Sequence, residues 1–104
     1  MINATRIRAL DKAIPFTLSR EEFLQLVQST CAYCGEVASN FRSSKANPKG
    51  IRCNGIDRVD SSGGYTPNNT VPCCKRCNVA KNNMPRDDFL AWIKRVATHQ
   101  KLFV

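Results

Sequence analysis

Cys31-Ala32-Tyr33-Cys34-Gly35 and Cys74-Lys75-Arg76-Cys77-Asn78 each contain a Cys-x-x-Cys step, and together they offer the four thiols of a structural zinc site. The tight turn of such a step lets both sulfurs face one ion, and Gly35 ends the first in the shape of a zinc knuckle. Between the two steps lie Asn54-Gly55-Ile56-Asp57-Arg58-Val59-Asp60, then Gly63-Gly64-Tyr65, then Asn68-Asn69. An acidic pair, a glycine loop, paired asparagines and an asparagine directly after the second thiol pair suggest a zinc-stapled site that holds a divalent metal against a nucleic-acid phosphate. Cys53 and Cys73 are left over and read as small buried hydrophobes. Cys73 competes with Cys74 as a ligand, but only Cys74 has the two-residue spacing to Cys77.

The chain that must position these groups has 104 residues, enough for one domain, read as residues 1–104. Its apolar content of 42% supports a small core, the size class in which a metal often serves as a staple. Sixteen Lys and Arg against eight Asp and Glu give a formal charge of +8, which favours an anionic partner, most simply nucleic acid. Nothing resembles a signal peptide or a membrane span, because Asn3, Arg6 and Arg8 interrupt the N-terminal stretch. The expected setting is the cytoplasm, with no membrane partner, where cysteines bind metal rather than form disulfides.

Residues 1–18 read as a basic lead-in, with Arg6, Arg8 and Lys12 able to follow a phosphate backbone and Ile14 to Leu18 extended around Pro15. A helix is expected over 19–30. Ser19 and Glu22 have capping-box spacing, Leu18 and Phe23 fit a hydrophobic staple, and Phe23, Leu26 and Val27 form the apolar stripe. Residues 36–50 are polar and read as a loop, in which Arg42, Lys45 and Lys49, with Arg52 just beyond, are candidate nucleic-acid contacts. One strand is expected over 51–59, a turn-rich loop over 60–67, and a second strand at Thr70-Val71-Pro72-Cys73, where Pro72 marks an edge or an end. A helix should open near Cys74, break at Met84-Pro85, and give way to another over 86–98 with Phe89, Trp92, Ile93 and Val96 on one face. Trp92 is expected in the core.

Asp57-Arg58, Asn69 and Cys74-x-x-Cys77-Asn78-x-x-Lys81 resemble the HNH endonucleases. The form here, with Gly55-Ile56-Asp57-Arg58-Val59-Asp60, Gly64-Tyr65-Thr66 and Asn69, is similar to a small phage-type branch. That likeness extends to residues 15–18, 31–35 and the last helix. It implies an α+β fold: a small zinc-stapled ββα-metal (HNH or His-Me finger) domain, residues 31–81, with flanking helices. It also implies a metal-dependent endonuclease hydrolysing phosphodiester bonds in DNA, phage-encoded and at work in a host cytoplasm. Under the resemblance, zinc is held by Cys31, Cys34, Cys74 and Cys77, while Asp57 and Asn78 offer oxygens to a catalytic Mg2+ or Mn2+. Asn69 would hold the loop or orient the catalytic group, and Lys81 would contact phosphate.

The sequence departs from the commoner Asp-His pattern at Arg58. Arginine stays protonated and cannot act as a base, but it can grip phosphate through paired donors. His99, the single histidine, and Asp60 are the remaining candidates for proton transfer. The same departure supports an alternative: a non-catalytic zinc-finger module that binds nucleic acid and derives from an HNH nuclease.

Overall fold

The computed structural model describes residues 2–43, 45 and 48–102. Their order is α1 (Ile2–Asp11), α2 (Arg20–Val27), β1 (Asn40–Arg42), β2 (Ile51–Cys53), β3 (Gly55–Arg58), β4 (Thr70–Cys73), α3 (Lys75–Lys81) and α4 (Arg86–His99). The strands form two separate antiparallel ribbons, β1 with β2 and β3 with β4. None of the helices among the described residues is long and apolar enough to cross a membrane.

The second helix starts as its capping chemistry requires. The Ser19 hydroxyl accepts from the Glu22 N–H at 3.1 Å, and Glu22 Oε1 accepts from the Ser19 N–H at 2.8 Å. Leu18, Phe23 and Val27 are buried with Ile2 and Cys53 in the main core, and Phe16, Leu26, Ile56 and Tyr65 pack around them. The extended segment before α2 runs beside the glycine loop. Tyr65 N–H donates to Pro15 O at 2.8 Å, and Thr17 N–H donates to Tyr65 O at 3.0 Å. Gly64 is needed for that approach, since a Cβ there would lie 2.8 Å from both Pro15 Cβ and Pro15 O.

Three expectations change. The N-terminal stretch is a helix rather than an unpatterned lead-in. Only Ile2 and Ala9 of α1 are buried while Ile7 and Leu10 are exposed, so its apolar residues leave no clear stripe to read. The expected loop over 36–50, of which residues 44, 46 and 47 lie outside the described residues, contains strand β1. The single strand expected over 51–59 is divided at Asn54. That buried residue gives its N–H to Val27 O at 2.6 Å and its side-chain amide to Ser29 O and Glu36 O at 3.0 and 3.2 Å. These bonds satisfy carbonyls beyond the end of α2 and take the chain from one ribbon to the other.

The last helix, α4, also packs differently from its pattern. Arg86 N–H donates to Val59 O at 2.9 Å, which ties the start of α4 to the end of the β3 segment. Phe89 is the residue of α4 that is buried, whereas Trp92 is 43% exposed and Ile93 and Val96 stand equally open. The apolar stripe is present, but only its first member reaches the interior. Phe89→Ala should therefore destabilise the chain by about 3–5 kcal/mol, the range for emptying a buried aromatic site. Trp92→Ala should cost less than half as much, as read from urea midpoints at equal m-value.

Candidate metal-dependent active site

The first Cys-x-x-Cys step turns on Gly35, whose φ of +79° is the left-handed region that glycine enters freely, and Gly35 N–H donates to Cys31 O at 2.9 Å. Ala32 N–H donates to Pro72 O at 2.9 Å, laying the knuckle along β4. The second step opens α3, with Cys74 as N-cap and its sulfur accepting from the Cys77 N–H. The sulfurs of Cys31, Cys34, Cys74 and Cys77 consequently all lie within 4.8 Å of one another, and those of Cys34 and Cys74 are 3.6 Å apart. Tetrahedral zinc with bonds of about 2.3 Å sets its sulfurs about 3.8 Å apart, so the cluster has the size of such a site.

The electrostatics of the thiols follow from their closeness. Burial pushes the Cys31 thiol up, but the backbone N–H groups of Cys34, Cys74 and Tyr33 outweigh it and bring it down to about 6. Burial, and after it the sulfurs of Cys74, Cys34 and Cys31, push Cys77 far above the ordinary thiol range. Sulfurs this close cannot all ionise unless a cation lies among them. Cys73 is outside the cluster and fully buried, with its thiol pushed far up by burial first and the Asp57 charge next. None of the six cysteines is in a disulfide.

Strand β3 carries Asp57 and Arg58, paired with Val71 and Thr70 of β4. Asp57 is 7% exposed, and both of its contacts fall on Oδ2: the Tyr33 hydroxyl donates to it at 2.8 Å and Lys81 Nζ lies 3.1 Å away. Tyr33 belongs to the knuckle, and its ring stands edge-on to Phe89 with centroids 5.3 Å apart. Burial first, then the hydrogen bond to Asp57, push the Tyr33 hydroxyl well above the ordinary tyrosine range, so it remains a donor. Asn78 donates Nδ2 to Ile56 O at 3.4 Å, a long bond that leaves its amide oxygen able to ligate an ion. Asp57, Arg58 and Asn78 line one cleft of about 570 Å³ together with Lys12, Ser61, Tyr65 and Asn82. A carboxylate oxygen and an amide oxygen among the groups lining one cleft are a hard donor set of the kind that suits magnesium or manganese.

A second cleft of about 640 Å³ shares Ile56, Tyr65, Asn78 and Val79 with the first and is edged by Arg8, Arg42 and Lys75. Lys45, Lys49 and Arg52 are exposed on or beside the β1–β2 ribbon, as nucleic-acid contacts must be, although they do not line either cleft. Lys81 is different. The resemblance implies a phosphate contact for it, but it is 0% exposed and its ammonium pairs with Asp57 and donates to Arg58 O at 3.0 Å. Helical periodicity over only seven residues is too short to show that this position faces the sheet.

Arg58 is already engaged. Its Nη1 donates to Ser61 O at 2.7 Å and Gly63 O at 2.9 Å, and its guanidinium lies over the Tyr65 ring at 5.3 Å. Among the described residues, Nη2 and Nε take no acceptor and could meet an anion. Asn69 holds the same loop: its Oδ1 accepts from the Asp60 N–H, and its Nδ2 donates to Asp60 O and Gly64 O. The Asp60 carboxylate accepts from the Ser62 hydroxyl and N–H, which hold it below the ordinary range, and it does not line the cleft. His99 ends α4 and does not line it either. Tyr33 escaped notice in the sequence because it occupies a variable position of the Cys-x-x-Cys step. The signal available for it was an aromatic hydroxyl inside a metal knuckle.

No family model matches the chain. Uncharacterized protein R423 of Acanthamoeba polyphaga mimivirus is 33% identical over 95 residues, and the matched stretch spans 91% of this chain but only 16% of that curated relative. Among solved structures, the rare-cutting HNH restriction endonuclease PacI, described for its perturbation of DNA, superposes with a TM-score of 0.62 at 25% identity. That match covers 95% of this chain and 77% of PacI. The ribbon β3–β4 leads through Cys74 into α3, and these elements carry Asp57, Cys77 and Asn78. The chain has the fold of the HNH endonucleases, a small α+β ββα-metal finger with helices on either side.

Proposed function

We propose that the chain is a metal-dependent endonuclease that hydrolyses phosphodiester bonds in DNA. The observation that carries this reading is the meeting of Asp57, Arg58 and Asn78 in one cleft on the ββα unit, with Lys12 on its rim. The DNA-acting HNH enzyme PacI as structural neighbour supports the same class. Asp57 and Asn78 would hold one Mg2+ or Mn2+, which supplies polarisation of the scissile phosphate and stabilisation of the leaving oxygen when bound. Arg58 would offer its remaining N–H groups to a nonbridging phosphate oxygen while Nη1 keeps the Ser61–Gly63 loop in place. Cys31, Cys34, Cys74 and Cys77 would hold a structural zinc away from the chemistry. Arg8, Arg42 and Lys75, with Lys45, Lys49 and Arg52 on the outer ribbon, would follow the backbone beyond the cut site. A non-catalytic nucleic-acid-binding module is the second reading. It is favoured by one observation, the absence of a histidine among the residues lining the cleft.

Supercoiled plasmid incubated with magnesium or manganese decides between them. The parent should nick or linearise it, and Asp57→Asn, which leaves the buried Lys81 a polar partner, should be at least ~100-fold slower, about 2.7 kcal/mol of lost barrier stabilisation. A parent that binds plasmid but leaves it intact with either ion would establish the binding module instead. Arg58→Ala should slow cleavage roughly 10- to 100-fold and also lower stability by about 1–3 kcal/mol, because two loop carbonyls lose their donor.

Elemental analysis of purified protein should find one zinc per chain. Serine at Cys31, Cys34, Cys74 or Cys77 should abolish it and unfold the chain, since such zinc contributes on the order of 10 kcal/mol to small fingers. Cys53→Ser should retain the metal. Affinity for duplex DNA should fall at least ~10-fold between 50 and 200 mM salt, the range expected when several phosphates are neutralised. An affinity that stays flat over that range would rule out the basic surface as the contact.

A further inference from the structure

Among the described residues, Asp57 takes two donors on one oxygen and none on the other. The Tyr33 hydroxyl and the Lys81 ammonium both address Oδ2, at 2.8 and 3.1 Å, and they arrive from different elements: Tyr33 from the thiol knuckle and Lys81 from the last position of α3. Neither donor is free to drift. Lys81 is 0% exposed and is fixed a second time by Arg58 O at 3.0 Å. The Tyr33 ring is braced by Phe89, edge-on at 86°. A carboxylate gripped at one oxygen by two fixed donors loses its rotational freedom, and the ammonium beside Oδ2 repels a second cation from that side.

We propose that Tyr33 and Lys81 are positioning residues that together claim Oδ2 of Asp57 and leave Oδ1 alone to meet the divalent ion. The proposal rests on the metal-dependent reading of the cleft. It makes the thiol knuckle part of the catalytic apparatus, since Tyr33 lies between two of the clustered cysteines. It also gives Lys81 a task other than phosphate binding. Neither side chain touches substrate or the reacting atoms in this arrangement. They act through Asp57.

Removing Lys81 would strand a buried carboxylate and endanger the fold, so the test uses Tyr33→Phe, which keeps the ring against Phe89 and deletes one hydroxyl. Mn2+ binding to the zinc-containing chain, without nucleic acid, is followed by the electron paramagnetic resonance signal of free Mn2+. Plasmid cleavage is measured alongside over a range of Mn2+ concentrations. Tyr33→Phe should bind Mn2+ ~10-fold more weakly than the parent, the lower end for losing a partner of a metal ligand, with zinc content unchanged. Its cleavage should recover in large part as Mn2+ is raised. Parent-like Mn2+ affinity in Tyr33→Phe would overturn the clamp and leave the nuclease reading standing. A parent that neither binds Mn2+ nor cleaves would overturn both. Loss of zinc in Tyr33→Phe would make the hydroxyl a structural prop of the knuckle and would also overturn the clamp.

Discussion

A buried ion pair sets the terms for the whole domain. Asp57 and Lys81 are both withdrawn from water, and each would be costly to leave alone there, by several kcal/mol even after relaxation. Their pairing requires β3 and α3 to pack with little tolerance, and the second bond from Lys81 to Arg58 O fixes the strand backbone at the residue that follows. The knuckle must approach from the other side to bring Tyr33 within hydrogen-bonding distance. Three elements thus converge on a single carboxylate oxygen. The hydrophobic core is small and lies mainly on the α2 side, so polar and sulfur contacts carry the organisation of the ββα unit.

The elements with explicit chemical punctuation were legible from the residues. Ser19 and Glu22 announced α2, Pro72 the end of β4, Cys74 the start of α3, and Met84-Pro85 the break before α4. The thiol set was legible for the same reason, because ligand spacing is a short-range property of the chain. What could not be read depends on tertiary partners. Asn54 divides what looks like one strand because carbonyls beyond the end of α2 lie within its reach. Trp92 looks like core on periodicity alone, yet it stays 43% exposed beside Phe89.

The residues that share the cleft were legible, and the side chains that hold them were not. Asp57, Arg58 and Asn78 do share a cleft, and Asn69 holds the loop as its type suggests. The arginine that replaces the usual histidine is more embedded than a phosphate contact needs to be, since it closes the Ser61–Gly63 loop on itself and lies over Tyr65. Lys81 and Tyr33 are supports of a kind that composition conceals. Lysine is read as surface by default, and a tyrosine between two cysteines is read as filler.

The sulfur cluster joins positions far apart in the chain: Cys34 and Cys74 are separated by 40 residues. Closing a loop of that length by chance costs roughly 3 kcal/mol of chain entropy. The β3–β4 hairpin is local in sequence and carries Cys74 and Cys77 with it, whereas the knuckle joins them only through a long-range closure. The arrival of the knuckle is also the event that brings Tyr33 to Asp57. Chain topology therefore couples the two sites: the Tyr33 contact on Asp57 depends on the same long-range closure that brings Cys34 to Cys74.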